Sequence, residues 1–421
     1  MYNLNYLRKN NFLINSLLFL LIFLLFYKGF KNPITYDEAL TYLNYVEPKD
    51  IYKFAIANNH PFNSLLMIGS TYFGTSEIYL RLPNLIMGSL FLIASYKISI
   101  KSKYPEITFL ILTFTPYLFE FFSLARGYGL SAVLIFFGTI NYFYREWNKY
   151  SILFSSILFF FAIYSIFPSS IYVFSFFAVV TYNELKKKNI IIFLFSSLIV
   201  SFASYQTLRW TITISEYDLY IPFPKNVNLK YLVSNSFGFG PLFNPYDVFV
   251  GSIIFYIFIT LSLFFYFKNQ KIENNYTLEF IFLINLTLLY FIPIILGLNI
   301  PAYRLLLPFM PPLLLIISSN MERLLEIIKS QTANLISITI SIILIINFFV
   351  SFNLENTYDW APNKISKEES EVYFFNIESG KCYYPKIDRN PPVAQYYRQQ
   401  AFKNNEPYCD ESLGNVLNFS Q

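Results

Sequence analysis

Long apolar runs, separated by short polar stretches that carry a few lysines or arginines, dominate the chain from residue 11 to residue 351. They lie at 11–29, 80–100, 106–124, 127–144, 150–167, 169–184, 189–209, 248–267, 278–298, 303–319 and 332–351. Most approach the ~20 residues a helix needs to cross ~30 Å of hydrocarbon, so the pattern predicts an all-α polytopic membrane protein with about eleven transmembrane helices. Segment 61–74 is apolar but short, and is expected to lie at the interface or dip partly into the membrane. The first run leads into Tyr27-Lys28-Gly29 without a small-residue cleavage pattern, and is expected to stay as an anchor.

Composition agrees with that reading. Only 14% of residues are charged, 55% are hydrophobic and the mean hydropathy is +0.43, whereas a soluble domain is about a quarter charged. The net charge of +5 is scattered between apolar runs, so it forms no contiguous basic face for nucleic acid. It carries topology instead. Arg8 and Lys9, then Lys97, Lys101 and Lys103, then Arg145 and Lys149, then Lys186 to Lys188, Lys268 and Lys271, and finally Arg323 and Lys329 fall on alternate sides of the runs. Taking all of them as cytoplasmic puts the N-terminus inside and, with an odd number of spans, the C-terminus outside. The exterior then receives loops 30–79 and 210–247 and the tail 352–421, a polar segment rich in proline and tyrosine that reads as a small soluble cap on the membrane domain 1–351. Cys382 and Cys409 both lie in that tail, and in an oxidising exterior compartment they are expected to pair.

A transporter usually holds ionisable groups near the membrane midplane. Here the middles of the runs are almost free of charge, and the charged residues gather at the outer ends and in the first exterior loop, which points to chemistry at the outer surface. Asp37 and Glu38, in Tyr36-Asp37-Glu38-Ala39, can supply a general base or coordinate a hard cation, or simply complement a helix N-terminus. His60, in Asn59-His60-Pro61-Phe62, is the chain's one histidine; it can donate to a phosphate or bind metal, or cap the interface. Arg81, Arg126 and Arg304 each stand near the outer end of an apolar run. A guanidinium there can pair with a phosphate in two hydrogen bonds, or snorkel.

The order of these pieces is more specific than any one of them. A span, an acidic pair, His60-Pro61 opening an apolar segment, Gly74-Thr75-Ser76-Glu77, Arg81-Leu82-Pro83-Asn84 and Ala125-Arg126-Gly127-Tyr128 together resemble the GT-C membrane glycosyltransferases, in particular the protein mannosyltransferase and aminoarabinose transferase branch. Tyr303-Arg304-Leu305-Leu306-Leu307-Pro308-Phe309 resembles that family's late arginine-proline helix. The likeness covers about 11–150 and 299–320, and this chain has His60-Pro61-Phe62 where the family commonly has His-Pro-Pro. It implies helices beneath an outward-facing cavity of a bacterial cell envelope and a polyprenyl-phosphate sugar as donor, with the acceptor a protein, lipid or glycan. Asp37, or Glu38 beside it, would be the base. His60, Arg81, Arg126, Tyr128 and Arg304 would hold the donor phosphate. No organic cofactor is implied, and a divalent ion at Asp37, Glu38 and His60 stays open. A lipid-linked sugar transporter or flippase is the alternative.

Overall fold

The computed structural model describes residues 12–51, 59–144, 150–186, 190–215, 277–296, 303–352, 354, 393, 396–397, 408–409 and 416–417. Regular structure among them is helical, apart from an antiparallel pairing of β1 (Tyr408–Cys409) with β2 (Val416–Leu417). The helices are α1 (Phe12–Lys31), α2 (Tyr36–Thr41), α3 (Pro61–Ser70), α4 (Glu77–Ser99), α5 (Pro105–Thr113), α6 (Pro116–Phe122), α7 (Gly127–Tyr144), α8 (Ser151–Ser165), α9 (Ser169–Lys186), α10 (Ile190–Ser215), α11 (Thr277–Leu296), α12 (Met310–Ile327) and α13 (Ser330–Ser351). A π-helical turn, Tyr42–Val46, extends α2, and a 3-10 helix, Tyr303–Phe309, precedes α12.

Among the described residues four helices are long and apolar enough to cross a membrane: α1, α4, α10 as far as Arg209, and α13. A fifth candidate is the pair α6 and α7, bent by 107°. Several carry long apolar faces that stay exposed among the described residues. On α13, Leu335, Ile338, Ile342, Ile346 and Val350 are all more than half exposed, as are Ile191, Leu194, Phe195, Leu198 and Phe202 on α10. Stripes of this length would be a liability in water and match the boundary that lipid requires.

The structure refines three boundaries. The run at 106–124 is not one helix. Pro116 cannot donate to the preceding turn and disfavours helical backbone at Thr115, whose φ and ψ are −109° and 97°, so the chain breaks into α5 and α6. Segment 61–74 forms the ten-residue α3, too short to span, started by Pro61. Helix α10 runs to Ser215, beyond the expected boundary at 209. The run 248–267, Cys382, Lys187 and Lys188, and most of loop 210–247 and of the tail lie outside the described residues.

Polar contacts sort the helix ends into two levels. Residues 32–51 and 59–76, the C-terminus of α1 and the N-termini of α4 and α7 meet at one end. The opposite end gathers Tyr142 with Glu184 (2.8 Å), Arg323 with Glu279 (3.2 Å) and Lys103 with Glu326 (3.5 Å). Val393, Tyr396 and Tyr397 lie at the loop end. Val393 and Tyr396 share an apolar cluster with Ile34, Tyr42, Met67 and Leu80. The Tyr396 hydroxyl donates to the Thr75 carbonyl (2.7 Å), and that of Tyr397 accepts from the Ile34 N–H (3.1 Å) and donates to Glu77 (2.8 Å).

One charge pair sits inside the bundle. Lys28 of α1 and Glu120 of α6, both fully buried, lie 3.5 Å apart, with the ammonium 5.0 Å from the centre of the Phe352 ring. Removing one partner strands the other in a dry environment, whereas replacing both restores neutrality. Lys28→Met or Glu120→Leu alone is expected to lower stability in detergent by about 3–5 kcal/mol, and the double variant to recover most of that loss. Denaturation of the four proteins checks this, and additive losses would contradict it.

Candidate functional site

The site is built around α2. Thr35 is the N-cap: its hydroxyl accepts the Glu38 N–H (3.2 Å), and the Glu38 carboxylate accepts the Thr35 N–H (2.8 Å), a capping box that fixes where the helix starts. The same carboxylate accepts from Arg81 Nε (2.9 Å), Arg81 Nη2 (2.7 Å) and the Ala125 N–H (2.6 Å). Arg81 completes its set with the carbonyls of Gly29 (3.0 Å), Asn32 (2.6 Å) and Pro33 (2.8 Å). All five of its N–H groups are thereby engaged. Both side chains are buried. Burial opposes ionisation of Glu38, but the Arg81 guanidinium and the two backbone amides outweigh it and hold the carboxyl below its ordinary range.

This geometry assigns Glu38 and Arg81 differently from the sequence expectation. Neither the general-base role nor a metal-ligand role for Glu38 fits oxygens that already accept four N–H bonds, and Arg81 retains no N–H for a donor phosphate. Together they latch the end of α1, the start of α2, helix α4 and the turn before α7.

That turn carries Arg126. Asn63 donates to the Ala125 carbonyl (2.9 Å), and Asn84 donates to the carbonyls of Leu124 and Arg126 (3.1 Å for the latter). With the Ala125 N–H on Glu38, consecutive peptide groups are fixed by side chains from α2, α3 and α4. Gly127 follows, where a Cβ would stand 2.2 Å from the Ser165 carbonyl oxygen and 2.8 Å from His60 Cβ. No side chain fits there, so the approach of α7 to α3 and α8 depends on that glycine.

Asp37 and Tyr128 meet at Arg126, and His60 joins them through Tyr128. Its Nη2 lies 3.3 Å from Asp37 Oδ2, and its Nη1 donates to the Asp37 carbonyl and the Thr41 hydroxyl, each at 3.3 Å. The guanidinium carbon is 5.4 Å from the centre of the Tyr128 ring, which meets the His60 ring edge-on at 4.8 Å. Arg126 is fully buried, whereas the Asp37 side chain keeps 11% of its exposure. The cluster therefore offers a carboxylate, a guanidinium, a phenol and an imidazole within one set of contacts. Arg304 opens the 3-10 helix that packs on α7, and Leu306 and Phe309 of that helix share an apolar cluster with Leu130 and Leu134; the Arg304 side chain lies outside the described residues. Cys409 lies in β1, and its pairing with Cys382 lies outside them too. No group of three His, Cys, Asp or Glu able to hold a metal ion occurs among the described residues.

Sequence reasoning missed Thr35, Asn63, Asn84 and the tail tyrosines. Thr35-x-x-Glu38 is a readable capping-box signal; the two asparagines and Tyr397 carry none, because their partners are 62, 40 and 363 residues away. Comparison of the chain with protein-family models, with curated proteins and with solved structures found no match.

The Glu38 latch implies a sign for acid sensitivity. A carboxyl whose folded pKa is depressed contributes stability that is fully present above its unfolded value of about 4.3 and is lost as pH falls through the lower folded value. Melting in detergent is expected to be insensitive to this group from neutrality to about pH 5 and to fall below about pH 4. Glu38→Gln should melt lower at neutral pH, by an amount worth a few kcal/mol, and lose that part of the acid decline. A variant as stable as the parent at neutral pH would contradict the latch.

Proposed function

We propose that the chain is a membrane glycosyltransferase of GT-C type that moves a sugar from a polyprenyl-phosphate donor to an acceptor at the outer face of the membrane. The observation that carries this reading is the convergence of Asp37, Arg126, Tyr128 and His60 at the loop end of the bundle. Sequence order alone had grouped them, from positions up to 91 residues apart. The reading takes eleven spans, with 248–267 as one of them, the N-terminus cytoplasmic and the tail outside. The docking of Tyr396 and Tyr397 on Thr75, Glu77 and Ile34 supports it, since it requires an even number of crossings between loop 32–76 and the tail.

In this scheme Asp37 removes the proton of the acceptor hydroxyl as its oxygen attacks the anomeric carbon. The bond from that carbon to the phosphate oxygen breaks, and a single displacement inverts the configuration. The lipid phosphate leaves with growing negative charge. Arg126, seconded by His60, Tyr128 and Arg304, stabilises it, and electrostatic help of this kind in a dry site is worth a few powers of ten. Glu38 and Arg81 hold the frame and touch neither substrate. Catalysis in this form uses no organic cofactor.

Membranes containing the protein, incubated with labelled polyprenyl-phosphate sugars, supply the test. Asp37→Asn keeps the shape and removes the proton acceptor, so transfer should fall by about 10²–10⁴ while donor lipid still binds. Arg126→Ala should weaken donor binding as well as turnover, because its phosphate contact precedes the reaction and strengthens during it. Normal transfer by both folded variants would overturn this assignment and favour the lipid-transport alternative.

A further inference from the structure

The two groups given opposite tasks in the proposed reaction are in contact with each other. We propose that the Asp37 carboxylate and an incoming lipid phosphate compete for the Arg126 guanidinium, so that phosphate binding is the event that frees Asp37 to act as a base. This rests on the glycosyltransferase reading and adds to it an order of events at the same site.

Three observations carry the inference. The first is access. Arg126 has no exposed surface, and its contacts Thr41 and Tyr128 are buried; the Asp37 side chain, at 11%, is the member of the cluster that reaches the surface. Among the described members of the cluster, a phosphate approaching from the surface therefore meets Asp37 before the guanidinium. The second is rigidity. Asn63, Asn84 and Glu38 fix the peptide groups on either side of Arg126, Gly127 is wedged against Ser165 and His60, and Arg126 Nη1 is held on the Asp37 carbonyl and the Thr41 hydroxyl, so the guanidinium is presented from a fixed frame. Helix α2 is equally fixed by its capping box, so exchange at the guanidinium needs a rotation of the Asp37 side chain and no movement of either backbone.

The third is the contrast between the two ion pairs. Glu38 and Arg81 meet at 2.7 Å with every guanidinium N–H engaged, whereas Asp37 and Arg126 stand 3.3 Å apart, beyond the 2.7–2.9 Å of a tight charge-assisted hydrogen bond. The looser pair is the exchangeable one. A phosphate can offer the guanidinium fork two oxygens at once, where Asp37 brings Oδ2 to 3.3 Å. Until it arrives the base is neutralised, and acceptor deprotonation waits for the donor.

The test measures binding of a long-chain polyprenyl monophosphate to the purified full chain in detergent, for the parent, Asp37→Asn, Arg126→Ala and the double variant. With Arg126 present, Asp37→Asn should tighten binding about tenfold, since a competitor worth roughly 1.4 kcal/mol has gone. In the Arg126→Ala background the same change should do nothing. Charge repulsion between Asp37 and the phosphate would tighten binding in both backgrounds, and that result overturns the exchange. So does an affinity that Asp37→Asn leaves unchanged, although the phosphate site itself would then stand. Failure of every protein to bind the monophosphate overturns the phosphate site and the exchange together. Asp37→Ser and Arg126→Gln replace either variant that does not fold as a monodisperse protein.

Discussion

The buried pair of Arg81 and Glu38 is the constraint on which the loop end of this molecule depends. Each member satisfies the other and also backbone groups that would otherwise be orphaned: three carbonyls where α1 ends, the N–H at the start of α2, and the N–H of Ala125 in the turn before α7. A desolvated charge pair gains little net stability over an apolar core, and its best-attested value lies in specifying one arrangement. That description suits this pair. It sets where α2 begins, hence where Asp37 stands, and it sets the turn from which Arg126 projects. A lysine at position 81 would keep the charge and lose the planar fork that reaches Glu38 and three carbonyls at once.

Charge in the described helices is kept at the two ends, with Lys28 and Glu120 as a neutralised pair within the bundle. The ends differ in kind. At the end holding Glu279 and Arg323 the polar contacts join neighbouring helix termini. At the loop end they organise a layer in which α2, α3, the 123–126 turn and Val393, Tyr396 and Tyr397 of the tail interlock. Tyr397 is the far member of that layer: its hydroxyl ties Ile34, next to the N-cap of α2, to Glu77 at the head of α4. Tyr396 and Tyr397 are thereby part of the frame that carries Asp37.

Much of the helical architecture was readable, because hydropathy reports it directly: α1, α4, α7, α8 and α9 fall within a few residues of their apolar runs. The break between α5 and α6 was also written in the sequence, at Pro116, but composition masks it, since the residues on both sides are equally apolar. At the site, residue type and order pointed to Asp37, His60, Arg126 and Tyr128, which meet. They also pointed to Glu38 and Arg81, whose chemistry suits a ligand equally well; only the saturation of their hydrogen bonds shows that they hold the frame. Asn63, Asn84, Tyr396 and Tyr397 were out of reach for a different reason. A single amide or phenol gains meaning only from a partner, and theirs are brought near by tertiary folding. Lys28 and Glu120 could have been noticed as lone charges within apolar runs, a placement that calls for a buried partner.

The central claim is that the phosphate end of a polyprenyl lipid sits at the loop end of the bundle, beside Arg126. Photo-crosslinking with a polyprenyl phosphate that carries a diazirine next to the phosphate, followed by peptide mapping, tests this most directly. The account predicts labelled peptides from α2, from the His60–Pro61 start of α3 and from the Ala125–Tyr128 turn, all suppressed by excess unlabelled polyprenyl phosphate. Labelling confined to the opposite end, around Glu279 and Arg323, or unaffected by the competitor, would contradict it.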